Sequence, residues 1–297
     1  MKINRRAAAY GVCRSADGAV LLTRGSGLSA FPGVWSLPGG GIDHGEHPDD
    51  TVVREFAEET GLTVRIAGVR TVLADLARLP DGTIEHSDRI IYDVVVTGGE
   101  LTPETAGTSD LAEWVAAADP AQRPLLPFTA GVLGVGSEPI EPVEGSFGTP
   151  EPTGRVQRFG AYALATDAAG RVLLTRIADG YPGGGHWHLP GGGTDFGETP
   201  ERALARELYE ETSQRGRITG LAGVSHRYDP AALGPEGVPL DWHVIRVLYQ
   251  VTVPEPTVAA VTEAAGGSTA EAAWFTREEA GNLPLTELTR DALGRTG

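Results

Sequence analysis

The chain holds 297 residues, 40% of them hydrophobic and 22% charged, a balance that excludes a disordered or fibrous polymer and allows about two domains of ordinary size. Its formal charge of −16 excludes a polyanion-wrapping surface, because nucleic-acid polymers are held mainly through basic patches. No stretch nears the ~20 apolar residues of a membrane-spanning helix, and the one cysteine, Cys13, allows no intrachain disulfide, so a cytoplasmic protein with neither membrane nor nucleic-acid-polymer partners is expected.

The first thirteen residues, "MKINRRAAAYGVC", carry early arginines but no apolar run long enough for a signal peptide. "GAVLLTR" (18–24) contains a turn glycine and then aliphatic residues, which reads as a strand. "WSLPGGG" (35–41) runs into "PGGGIDHGEHPDDTVVREFAEETGL" (38–62). There Val52 and Phe56, four apart, mark the buried stripe of a helix, with Pro48 in its first turn and Gly61 as its stop. Glu55, Glu58 and Glu59 fall at i, i+3 and i+4 and are expected to share a face away from Val52 and Phe56. A pair of glutamates on a helix is ordinarily a solvated surface. Three at this spacing, after glycines expected to turn tightly and expose a carbonyl, form a hard-oxygen set suited to Mg2+ or Mn2+. "RIIYDVVV" (89–96) is continuous enough to be sheet interior.

Residues 136–155, "GSEPIEPVEGSFGTPEPTGR", have linker composition. The expected boundaries are a first domain at 1–140, a linker at 141–154 and a second domain at 155–297. The elements then return in the same order. Ala9-Tyr10 matches Ala161-Tyr162, "VLLTR" (20–24) matches "VLLTR" (172–176), and "WSLPGGG" matches "WHLPGGG" (187–193), all at an offset of 152. The acidic helix follows at the same offset, with Glu46 matching Glu198, Arg54 matching Arg206 and Glu58 matching Glu210. Thr199 is its N-cap candidate, Pro200 its first turn, and Leu204 and Leu208 its apolar stripe. Glu207, Glu210 and Glu211 repeat the carboxylate face. The offset drifts where "HSDRIIY" (86–92) parallels "HVIRVLY" (243–249) and "EWV" (113–115) parallels "AWF" (273–275), which implies loop insertions between common strands.

These residues resemble the Nudix hydrolase family, whose box is G-x5-E-x7-R-E-U-x-E-E-x-G-U with U apolar. The box at 40–62 supplies Gly40, Glu46, Arg54, Glu55, Phe56, Glu58, Glu59, Gly61 and Leu62. The box at 192–214 supplies Gly192, Glu198, Arg206, Glu207, Leu208, Glu210 and Glu211, and departs at Ser213 and Gln214. The resemblance implies an α/β fold, with a mixed sheet sandwiched between helices in each of two tandem domains. It implies hydrolysis of a phosphoanhydride bond, in a nucleoside diphosphate linked to another moiety or in a nucleoside triphosphate, with Mg2+ or Mn2+.

By the same resemblance, Glu55, Glu58 and Glu59 with the Gly39 carbonyl would hold metal, as would Glu207, Glu210 and Glu211 with that of Gly191. Arg54 with Glu46, and Arg206 with Glu198, would be orienting pairs, and Glu55 a candidate general base. Both domains are expected to bind metal because every carboxylate survives in the second. The alternative is one catalytic domain beside a nucleotide-sensing or scaffolding one. Gly216 is a candidate stop for a slightly longer second helix. The expected partner is a small nucleotide-linked molecule, and fused copies suggest an intramolecular pseudo-dimer. Isomerase and repressor readings are weakened by the position of Cys13, far upstream of the box, and by the lack of a basic winged-helix segment. Tyr228 and Trp242 read as base-stacking groups or as core, and His86, His186, His188 and His243 as structural or solvent-facing.

Overall fold

Strand β1 (Ile3–Cys13) starts polar and is buried from Ala7 onward, so its second half belongs to a sheet interior. The computed structural model describes residues 2–79, 81–116, 119–136, 154–233, 239–262 and 267–294, and the expected linker at 141–154 lies outside them except for Gly154. The chain divides into one unit of Met1–Val156 with Tyr228–His243 and another of Gln157–Arg227 with Val244–Gly297.

In the first unit the chain continues through β2 (Val20–Gly25), β3 (Trp35–Ser36), β4 (Gly39–Gly41), α1 (Pro48–Thr60), β5 (Leu62–Arg78), β6 (Ile84–Gly99), β7 (Ser109–Val115) and α2 (Pro127–Leu133). One sheet has the order β4-β1-β6-β5, with β1 parallel to β6 and the other pairs antiparallel. A second has the order β3-β2-β7. Helix α1 buries Val52 and Phe56 completely, each such side chain stabilising by roughly 1.5–3 kcal/mol. A separate core unites Tyr10, Val12, Leu22, Trp35, Ile91 and Phe128. The three glycines expected to form a tight turn instead form strand β4, paired with Ala8–Tyr10.

The unit also takes in Tyr228–His243. There Gly45 donates its N–H to His243 Nδ1 at 3.1 Å, His44 Nε2 lies 3.0 Å from the Asp241 carboxylate, and Tyr228 stands edge-on to His44. His243 is fully buried, so its role is structural.

The second repeat gives β8 (Arg155–Asp167), β9 (Val172–Ile177), β10 (Trp187–His188), β11 (Gly191–Gly193), α3 (Pro200–Thr212), β12 (Arg217–Leu233), β13 (Pro239–Val253), β14 (Thr269–Phe275), α4 (Arg277–Gly281) and α5 (Glu287–Gly294). Its sheet runs β10-β9-β8-β13-β12, with β11 on β8 and β14 on β9. Trp187, Leu174, Leu189, Leu248 and Leu288 form its core. Among the described residues no helix is long and apolar enough to cross a membrane.

Candidate active site

Both acidic helices begin at a proline and end in a left-handed residue, so their carboxylates are placed alike. Thr199 caps α3 by accepting from the Arg202 N–H, and His47 caps α1 by accepting from the Asp49 N–H. Helix α1 stops at Gly61 with φ 71°, and α3 stops at Ser213 with φ 58°, not at Gly216. A serine there costs about 1 kcal/mol relative to glycine. Its hydroxyl offsets part of that by donating to the Ala260 carbonyl at 2.7 Å. Gln214, where the box wants an apolar residue, is buried and donates its side-chain amide to Thr257 Oγ1 at 2.8 Å.

Arg54 is the hub of the first site. It binds Glu46 through two nitrogens at 2.9 and 3.0 Å, Glu55 at 2.9 Å, Glu58 at 3.2 Å and the Gly41 carbonyl at 3.2 Å. Arg206 repeats the pattern with Glu198 at 3.1 and 2.9 Å, Glu207 at 2.8 Å, Glu210 at 3.4 Å and the Gly193 carbonyl at 3.1 Å. Bidentate guanidinium–carboxylate pairs of this kind fix geometry as well as charge. Burial works against the Glu46 carboxylate, yet hydrogen bonds from Arg54 and Thr51 hold it below its ordinary pKa. The bond from Arg206 does the same for Glu198.

Glu59 departs from the expectation of a face shared with Glu55 and Glu58 and turned away from Val52 and Phe56. It is 6% exposed, accepts from the Gly39 N–H at 2.9 Å and from the Ser109 hydroxyl at 2.5 Å, and burial pushes its pKa up to about 8. Glu211 is held likewise by the Gly191 N–H and Thr269, and burial pushes it to about 7. The reason is periodicity, since Glu59 lies seven residues after Val52 and so falls on the same buried stripe. Burial also raises Glu55 and Glu207. Gly40 and Gly192 make room for these two, because a Cβ at either would lie 2.5 or 2.6 Å from a carboxylate oxygen. Glu58 is the most exposed of its trio, its side chain 52% exposed. Among the described residues no three carboxylates or histidines converge as a ready-made metal cage. Arg54 draws Glu55 and Glu58 to one side while Glu59 turns inward.

Three participants were not read from the sequence. Ser109 and Thr269 open β7 and β14 at an offset of 160, a signal available in "GTSDLAEWV" and "GSTAEAAWF". Glu104 accepts the Ser109 N–H at 3.0 Å and adds its charge to the forces raising Glu59. The same offset places Ala264, outside the described residues, opposite Glu104. His188 is half-buried beside Tyr162, ring centroids 5.2 Å apart, and desolvation lowers its pKa to about 3. His86 is buried near Asp88, and His186 is bonded to the Gly183 carbonyl in its own loop.

Comparison with known proteins gives these helices a context. The family model described as the NUDIX domain matches residues 4–133 and again 156–293. A nucleoside triphosphatase NudI from Enterobacter sp. (strain 638) is 32% identical over 136 residues, covering 46% of this chain and 86% of that protein. An ADP-ribose pyrophosphatase from Methanocaldococcus jannaschii is 39% identical over 71 residues, covering 24% of this chain and 40% of that protein. A MutT NUDIX hydrolase from Burkholderia pseudomallei is 29% identical over 48% of this chain and 99% of its own, with a TM-score of 0.39.

Proposed function

This chain belongs to the NUDIX family as a tandem hydrolase with one domain in each half, and from that premise we propose that each domain hydrolyses a phosphoanhydride bond in a small nucleotide-linked substrate with the help of Mg2+ or Mn2+. The observation that carries the reading is the duplicated arginine hub, with Arg54 and Arg206 each holding three glutamates in the same pattern.

The donor set fits a hard divalent cation. It consists of carboxylates, and its members Glu59 and Glu211 resist ionisation because they are buried, with neighbouring carboxylates adding to the effect. Glu55, Glu58 and Glu59 with the Gly39 carbonyl would hold the ion in the first domain, and Glu207, Glu210 and Glu211 with that of Gly191 in the second. When bound, the cation neutralises charge on the phosphate oxygens as a Lewis acid.

The protein's own groups do the rest. Arg54 keeps Glu46 and Glu55 in fixed positions, as Arg206 keeps Glu198 and Glu207. Glu55, whose proton affinity is raised by burial, takes the proton of a water attacking phosphorus as the bridging P–O bond breaks. Two relatives carry names for nucleoside triphosphate and ADP-ribose cleavage, which supports a substrate of that class. The free, buried Cys13 suits a reducing cytoplasm.

The test is release of phosphate or nucleotide, with and without Mg2+, from nucleoside triphosphates, ADP-ribose, nucleotide sugars and dinucleoside polyphosphates. Glu58→Gln and Glu210→Gln are each expected to lower turnover of part of that panel by about 10²-fold or more. If Glu210→Gln leaves every activity intact, the second domain is a binding module and not an enzyme.

A further inference from the structure

Among the arginines that recur in both domains outside the catalytic helix, Arg89 and Arg246 are neighboured very differently. In the first unit, strand register sets Arg89 beside Ala8 and across from Leu73, with Tyr10 and Asp75 one step away on the same face. Arg89 has a counterion there. Its guanidinium pairs with Asp75 at 2.5 Å, lies 4.6 Å from the Phe128 ring centroid and bonds to the Tyr10 hydroxyl.

The repeat preserves the arginine and the tyrosine as Arg246 and Tyr162, and these two also bond to each other. It does not preserve the rest. In sequence, counting from the shared Ala-Gly-Val at 67–69 and 222–224 aligns Pro230 with Asp75. The paired bridges of Leu125 to Trp35 and Leu285 to Trp187 set Leu288 where the first has Phe128. Arg246 forms no ion pair among the described residues. The charged groups acting on it are Arg227, of like sign, and Glu287, and burial lowers its pKa. A half-buried guanidinium without a counterion is destabilising. It is nonetheless partly open to solvent, and it adjoins the site through Tyr162, whose strand pairs with Gly191 at the Glu211 carboxylate.

We propose that Arg246 binds a phosphoryl group of the second domain's substrate, whereas Arg89, already neutralised by Asp75, binds none, so that the two domains act on different nucleotides. This deepens the hydrolase reading and rests on it for the word substrate; the anion site itself does not.

The experiment measures inorganic phosphate binding to the full-length protein by calorimetry and by thermal shift. Phosphate is expected to bind wild type and to bind Arg246→Met about tenfold more weakly or worse, since a charge-assisted hydrogen bond is lost. Arg89→Met should bind as wild type does. Asp75→Asn should gain a second site by releasing Arg89. In a Glu58→Gln background, Arg246→Met should raise KM for the second domain's substrate about tenfold with kcat little changed, and Arg246→Lys should recover part of the loss. Because Arg246→Met removes a buried charge, its Tm should be no lower than wild type, so weakened binding is not unfolding. If Arg246→Met does fail to fold, Arg246→Lys and Asp75→Asn decide the matter alone. Equal effects of Arg89→Met and Arg246→Met, or no change in either, overturn the proposal. If phosphate binding follows Arg246 but no variant or wild type shows turnover, the hydrolase reading fails and the anion site stands.

Discussion

Arg54 and Arg206 set the shape of the two sites because each binds three carboxylates and a carbonyl at once. A lysine cannot supply that fork. Arg54→Lys should therefore lower kcat of the first domain by about 10–100-fold with a smaller change in KM, read by steady-state kinetics in a Glu210→Gln background. The identities of these residues were legible in the spacing of the box, but the environment of Glu59 was not. Its place one heptad after Val52 was available in the sequence, but only the fold shows that a carboxylate is tolerated on that stripe because Gly39 and Ser109 bind it. That burial has a pH consequence. A carboxyl with folded pKa of about 8 stays protonated where the unfolded chain has released its proton. Stability of the metal-free protein should therefore fall as pH rises from the ordinary carboxyl range toward 8, with Glu211 adding the same trend up to about 7. Thermal melts in chelator across pH 5–8 should show this slope, and Glu59→Gln should flatten it. Since ligation requires the carboxylate, Mg2+ binding should release protons over the same range, which calorimetry in buffers of different ionisation enthalpy would detect.

Helix ends make the comparison of the two copies quantitative at the next scale. Gly61 and Ser213 occupy the same left-handed position, but a Cβ at Gly61 would lie 2.6 Å from the Glu100 carbonyl. Gly61→Ala should cost about 2 kcal/mol, through backbone strain and that contact. Ser213→Gly should stay within about 0.5 kcal/mol, because strain relief offsets the lost bond to Ala260. Urea unfolding of both variants checks the pair, and equal losses would mean that the cap geometry differs from that described. Helices of this kind were legible because proline and stripe mark them locally, and Gly61 marks the stop of α1, whereas the stop of α3 at Ser213 was not read. Strand β4 was not, since three glycines argue against a strand. It pairs with Ala8–Tyr10 all the same, and Gly40 is glycine because Glu55 packs against it, a demand that comes from tertiary structure.

At the scale of the whole chain, the repeat was legible from one constant offset, and its loss of register marks where sequence reasoning stops. Irregularities in β5 between Thr63 and Val64, Ile66 and Gly68, and Val69 and Thr71 decide which residue faces Arg89. Residue counting alone cannot place such bulges. The box carboxylates and their hydrogen-bond partners lie within one unit in each case. Substitutions in the two boxes should then act independently, as sites sharing no partner do. Glu58→Gln should depress turnover of one set of substrates, Glu210→Gln that of another, and the double variant both, with log rate changes adding. The measurement is kcat/KM for wild type, both singles and the double on each substrate that any of them hydrolyses. A double variant no worse than one single on every substrate would mean a single working site. A Glu58→Gln effect on substrates lost in Glu210→Gln would mean that the two sites are coupled, and the duplicated hub would then have to be understood as one machine instead of two.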